Sequence, residues 1–258
     1  MGLDTSQSVA ADSQPTSLAL LDLTLPTPEE NLALDEALLN ENEERARGGE
    51  GFEEVLRLWE SPVSFVALGS TGRLSDEVHT EECRREGIPV LRRSSGGGTV
   101  LAGPGCLCFS LILGLDRRPE LRDIHASYRA ILTRIATCLA VEGLAHRGIS
   151  DLAIDSRKIS GNAQRRKSRV LLHHGTLLYD FDLQRMERLL GNPPRQPDYR
   201  AGRAHGTFTM NLNLSAAEIK LRLARCWNAP NPGSVRELPD LTLLLREKYA
   251  NRQWIERF

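Results

Sequence analysis

Arg92-Arg93-Ser94-Ser95-Gly96-Gly97-Gly98-Thr99-Val100 is the stretch on which the reading of this chain turns. Pro89–Arg92 runs into it as a short strand, and the three glycines remove every Cβ from the turn that follows. A ligand can then touch the backbone and collect amide hydrogen bonds. The two arginines offer planar, forked donors suited to a carboxylate or a phosphate. A flexible hinge beside solvated arginines would use the same residues. Two common nucleotide motifs do not fit: there is no GxGxxG, and no lysine follows the glycines as a P-loop requires.

Working outward, strands and helices mix without strict alternation, which favours α+β over a doubly wound sheet. Upstream, Leu18–Leu25 reads as a strand. Thr27-Pro28-Glu29-Glu30 reads as a helix start, with proline at the first position and acids in the first turn. Glu41–Gly51 is expected as a charged surface loop, Val55–Trp59 and Ser64–Leu68 as strands, and Asp76–Glu86 as a helix closed by Gly87. Downstream, Leu107–Leu113 fits a buried strand. Tyr128, Ile131, Leu132, Ile135, Leu139 and Val141 recur at helical spacing over Ile124–Glu142, with Gly143 as the stop. Leu152–Asp155, Arg157–Ile159 and Val170–Tyr179 read as strands, with Gly161–Arg169 joining the last two. Helices are expected at Leu183–Leu190, Ala216–Trp227 and Leu241–Tyr249. No repeat is present.

Three further segments carry chemistry. In Asp151–Arg166, Lys158 leads into Ser160-Gly161-Asn162. A lysine beside an acyl phosphate would neutralise charge on the departing phosphate, whereas a lone strand lysine is usually just exposed. In His173-His174-Gly175-Thr176-Leu177-Leu178-Tyr179, neighbouring strand residues face opposite ways, so one ion rarely takes both histidines. No metal site is expected; one inward histidine orienting a loop is. Arg200, Arg203 and His205, ahead of Phe208, form either a basic lid or a solvated loop.

In their order along the chain these segments resemble the lipoate–protein ligase A branch of the biotin/lipoate ligase superfamily, over about residues 18–215. That family's core reads as a double arginine, x-Ser-Gly-Gly-Gly-x-Val, then Lys-x-x-Gly-x-Ala-Gln, then His-x-Gly-x-Leu-Leu. Here these are Arg92–Val100, Lys158–Gln164 and His173–Leu178. Leu32–Leu38 and Arg203-Ala204-His205 with Phe208 and Asn211-Leu212 match as well. The resemblance implies a mixed, largely antiparallel sheet flanked by helices, in the class II synthetase-like manner. It implies ATP-dependent transfer of lipoate or octanoate, through lipoyl-AMP and with Mg2+. The acceptor would be a lysine of a lipoyl-domain protein, of the 2-oxoacid dehydrogenase E2 or glycine-cleavage H type. Lys158 would be catalytic, bridging carbonyl and phosphate. Arg93, Ser95, Gly96, Gly97, Gly98, Thr99 and Val100 would contact substrate, with Asp151, Gly161, Ala163, His174 and Gly175.

The match departs in three places, one of them Cys108, where many relatives carry an asparagine after Gly-x-Leu. Family members often show His-Asp after the glycines, whereas Leu101-Ala102-Gly103-Pro104 stands here. The chain also ends too soon for the accessory domain of two-domain ligases. Residues 1–16 are therefore expected as a disordered tail and 17–258 as one catalytic domain, with a separate accessory subunit. Two alternatives stay open. One is ATP-independent transfer through a cysteine nucleophile, where Cys106 or Cys108 would serve because Ala145–Asp155 holds none. The other is a degenerate lipoate-binding protein.

Bulk properties are ordinary for a soluble protein. The chain has 258 residues, 33 basic against 34 acidic side chains and 40% hydrophobic residues. Balanced charge argues against broad nucleic-acid binding, and no apolar run suits a membrane. Five cysteines without a CxxC pair argue against a disulfide framework and for a reducing, cytoplasmic setting.

Overall fold

The computed structural model describes residues 17–193, 195–229 and 237–258; the expected tail, residues 1–16, lies outside them. Among the described residues ten strands form two sheets: β1 (Ala19–Asp22), β2 (Val55–Trp59), β3 (Phe65–Leu68), β4 (Val90–Arg92), β5 (Val100–Ala102), β6 (Cys106–Gly114), β7 (Leu144–Arg147), β8 (Asp151–Ile154), β9 (Arg157–Arg166) and β10 (Val170–Leu178). The large sheet runs β1-β2-β6-β10-β9-β8-β7 and the small one β4-β3-β5. Only the β1–β2 and β3–β4 pairs are parallel, so the mixed, largely antiparallel sheet with flanking helices is as expected.

Helices α1 (Pro28–Arg47), α2 (Leu74–Glu77), α3 (Thr80–Arg85), α4 (Ile124–Leu139), α5 (Leu183–Leu189), α6 (His205–Phe208) and α7 (Ala216–Cys226) pack around the sheets. Two short ones, α8 (Thr242–Leu244) and α9 (Arg252–Ile255), flank a π turn at Leu245–Tyr249. Alternation along β6 sorts the two faces of the large sheet. Leu107, Phe109, Leu111 and Leu113 join the core under α4 and α7, while Ile112 joins Leu34, Leu38 and Leu39 of α1 on the other side.

Several local expectations fail for physical reasons. Glu41–Arg47 is helix, not loop. A capping box at Thr27 and Glu30 starts α1, and i,i+4 pairs such as Glu43–Arg47 carry it on. Asp76–Glu86 breaks at Val78, whose extended backbone bridges Leu190. Helix α4 stops at left-handed Ala140 (φ 48°), ahead of Gly143. Gly161–Arg166 is no connector: it continues β9 in register with β10, Gly175 opposite Asn162.

The cysteine argument also needs correction. Cys138 and Cys226 form a disulfide between the ends of α4 and α7, 88 positions apart in sequence. Helix packing supplies that proximity, which no spacing rule shows. Cys83, Cys106 and Cys108 are buried free thiols. Cysteine usage therefore no longer argues for a reducing compartment. Among the described residues no helix is long and apolar enough to cross a membrane.

Candidate active site

A cleft of about 1190 Å³ opens on the α1 side of the large sheet. The small sheet and the segment leading into α6 wall it. The glycine loop enters between β4 and β5. Gly97 adopts φ 86°, and its carbonyl passes so close to Gly69 that a Cβ there would meet it at 2.0 Å. The turn thus depends on glycine at both positions. Gly97, Gly98, Thr99 and Val100 line the cleft, whereas Gly96 and fully buried Ser95 do not. Glu77 on α2 holds the loop's exit, accepting from the Thr99 amide at 3.2 Å and its hydroxyl at 2.8 Å.

Both arginines of the motif turn inward. Arg93, expected to grip the ligand, donates to Ala67 O, Ser95 Oγ, Gly96 O and Gly98 O at 2.7–3.0 Å. A guanidinium has five N–H donors, so at most one is left for a ligand. Burial lowers the Arg93 pKa to about 10, with Glu77 opposing. Arg92 is wholly buried. It donates to Gly69 O and Gly72 O on one side and to Trp254 O and Ile255 O on the other.

Strand β9 presents the lysine. A bulge opposite the Leu152–Ala153 step lets Lys158 share a face with Gly161, three residues on. The side chain lies over that glycine, where an added Cβ would meet Nζ at 3.0 Å and Cε at 3.1 Å. Its ammonium pairs with Asp151 Oδ1 at 2.7 Å. Asp151 Oδ2 accepts from the Tyr199 hydroxyl at 2.8 Å. Burial, then Asp151, push the Tyr199 phenol well above its ordinary range, so it stays a donor.

The histidines face opposite ways, as strand geometry requires. His173 lies against Phe109 and Tyr128 on the α4 side, and burial lowers its pKa to about 3. His174 lines the cleft and orients the glycine loop, its Nε2 2.6 Å from Ser95 Oγ. Because Arg93 donates to that hydroxyl, the Ser95 proton is free to point at His174. Ala163, opposite His174 in the register, supports Gly97. Gly175 lets Asn162 lie flat against the strand, since its Cβ would meet Asn162 Oδ1 at 1.9 Å.

The sequence reading missed the layer beneath. Asp35 of α1 pairs with Arg57 at 2.6 Å, accepts from Ser110 and lies 3.8 Å from His174 Nδ1. Burial would raise its pKa, but Arg57, His174 and Ser110 outweigh that and hold the carboxyl below the usual range. An acid on the apolar side of α1 was the available signal. Leu101 and Ala102, where relatives often have His-Asp, are buried apolar wall of the cleft.

The fold and the site thus place a backbone-lined loop opposite a lysine steadied by a carboxylate on a mixed, largely antiparallel sheet. Residues 27–219 match the family model "Lipoyl protein ligase A/B catalytic domain". The chain belongs to that family. It is 35% identical over 171 residues to an Aeropyrum pernix protein provisionally named lipoate-protein ligase A, covering 66% of this chain and 61% of that one. It is 26% identical over 181 residues to octanoyltransferase LipM of Clostridioides difficile, covering 62% and 65%. The chain thus spans somewhat under two thirds of both relatives. A bi-partite lipoate protein ligase of Thermoplasma acidophilum, solved in a study of that ligase and its E2 lipoyl domain, superposes with a TM-score of 0.74. It shares 25% identity, over 93% of this chain and 96% of that one.

Proposed function

We propose that this chain transfers a lipoyl or octanoyl group, through an acyl-AMP, to a specific lysine of a lipoyl-domain protein of the E2 or glycine-cleavage H type. In the first step an oxygen of the acid attacks the α-phosphorus of ATP and pyrophosphate leaves. In the second the acceptor amine attacks the acyl carbonyl, AMP leaves and the amine loses a proton. The observation that carries this reading is Lys158, its ammonium held over Gly161 by Asp151 in a cleft that the glycine loop also lines. There it neutralises charge on the phosphate in both steps. The open loop offers backbone to the adenylate, and Asp151 with Tyr199 positions the lysine. Mg2+ would arrive with ATP: such ions keep waters and phosphate ligands, and no three metal-ligating side chains gather among the described residues.

The bi-partite relative supports two finer points: a lipoyl domain as acceptor, and a second polypeptide that assists adenylation beside a catalytic unit spanning residues 17–258. A cytoplasmic setting, where ATP is abundant, completes the reading. Full ATP–pyrophosphate exchange by this chain alone, with lipoate or octanoate, would remove the second polypeptide from it.

The rival reading, cysteine-based transfer, draws on the LipM relative and on Cys108, which lines the cleft. Against it, a hydrogen bond with Cys106 and then burial push the Cys108 thiol well up, which disfavours the nucleophilic thiolate. Mass spectrometry after incubation with octanoylated acceptor separates the two: a thioester on Cys108 rejects the ligase. For the ligase, Lys158→Ala should slow acyl transfer from preformed lipoyl-AMP by about 10²–10³-fold. Equal rates would reject the role given to Lys158.

A further inference from the structure

The segment above Lys158 holds two arginines: Arg203 uses most of its donors, and Arg200 uses one. A 3₁₀ turn at Asp198–Arg200, then left-handed Ala201 and Gly202, bring Arg200 and Arg203 to the Phe208 ring. Their guanidinium carbons lie 5.0 and 5.3 Å from its centre. Arg203 donates to Arg200 O, Ser156 O and Tyr199 O at 2.7–3.0 Å. Arg200 makes one bond, from Nε to Arg203 O at 2.8 Å.

Beyond its face on the Phe208 ring, the rest of the Arg200 guanidinium has no hydrogen-bond partner among the described residues. Its side chain is 3% exposed and lines the cleft with Lys158 and His205. One terminal nitrogen is buried without any hydrogen bond. Asp151 is the acid near enough to act on it, but both Asp151 oxygens already accept, from Lys158 and Tyr199. Burial lowers the Arg200 pKa, with Asp151 opposing. A buried, unpaired cation is costly, and an arriving anion would relieve that cost. The flat fork suits a phosphate. Two cations on one wall exceed what a single acyl carboxylate needs.

We propose that Arg200 binds the phosphate of the nucleotide, donating its free edge to a phosphate oxygen of the acyl-adenylate. The assignment rests on the acyl-AMP reading above. It moves the anion grip from the arginines beside the glycines to an arginine about a hundred residues downstream.

Titration calorimetry with lipoyl-AMP and with lipoate, on the full chain, tests it. Arg200→Gln should bind lipoyl-AMP roughly 10- to 100-fold more weakly and lipoate as before. Arg200→Lys, which keeps the charge but loses the fork, should fall between, and it carries the test if the glutamine variant does not fold. The urea midpoint of Arg200→Gln should hold or rise, because an unpaired buried charge is gone; a purely structural arginine would lower it. Equal lipoyl-AMP affinity in both proteins overturns the assignment and leaves the acyl-AMP reading standing. A loss confined to lipoate also overturns it, pointing to a carboxylate grip. If the unmutated chain binds lipoyl-AMP no better than lipoate, the acyl-AMP reading falls and Arg200 falls with it.

Discussion

Two arginine pairs each send one member, Arg93 and Arg200, to the wall of the cleft, and the pairs are used in opposite ways. Arg92 and Arg93 lie under the glycine loop, where carbonyls of Ala67, Gly69, Gly72, Gly96 and Gly98 surround them. Arg200 and Arg203 lie in the segment above, where carbonyls are fewer and one guanidinium stays open. A tight glycine turn exposes its own acceptors, and a neighbouring arginine satisfies them before any ligand arrives. Proximity to glycines in sequence therefore says little about which arginine meets the substrate.

The sharpest way to break this comparison is stability. Arg92→Ala and Arg93→Ala each strand buried carbonyls and should lower the unfolding free energy by about 3–5 kcal/mol, read from urea midpoints. A midpoint no lower than that of Arg200→Gln would erase the contrast.

The two histidines sharpen it along the pH axis. His173 has a folded pKa near 3 against 6.5 for the free side chain. The unfolded state therefore takes up a proton first as pH falls. The stability at stake is fully present above pH 6.5 and is lost progressively from there toward pH 3, by up to about 5 kcal/mol. His173→Phe should flatten that acid limb, measured by urea unfolding at stepped pH. An unchanged limb would mean that His173 is protonated in the fold.

A smaller effect is expected at Gly161. Gly161→Ala pushes Lys158 off its seat and should cut acyl transfer about tenfold, at a stability cost within about 1 kcal/mol. Wild-type transfer would show that Lys158 acts from another position. The smallest change is Tyr199→Phe. It removes one of the two bonds to Asp151, and transfer should fall only a few-fold, for a bond worth about 1 kcal/mol. A loss as deep as that of Lys158→Ala would make the tyrosine more than a support.

These residues also mark what the sequence could reveal. The three-residue step from Lys158 to Gly161 was readable as part of a family motif, but not the bulge that lays the lysine over that glycine. The opposite faces of His173 and His174 followed from the period of a strand. The onset of α1 was written in Thr27, Pro28 and Glu30. The Asp35–Arg57–Ser110 layer was not readable, since it joins α1, β2 and β6 across long separations. Nor was the Cys138–Cys226 bond, or the open state of Arg200, which depends on how many carbonyls the fold brings near it. The extent of β9 was lost because Gly161-Asn162-Ala163-Gln164 lacks a strand's alternation; its pairing with β10 supplies what its own side chains do not.

Arg92 binds Gly69 and Gly72 on one side and, 163 positions further along, Ile255 on the other. Trp254 returns a bond to the Arg92 carbonyl, and Tyr249 reaches Glu36 of α1. During synthesis the lining of the cleft, which ends at Thr209, is therefore made before the segment that braces Arg92. A nascent chain that has reached residue 229 already carries every residue that lines the cleft, yet lacks the Trp254 and Ile255 carbonyls that hold Arg92 from behind.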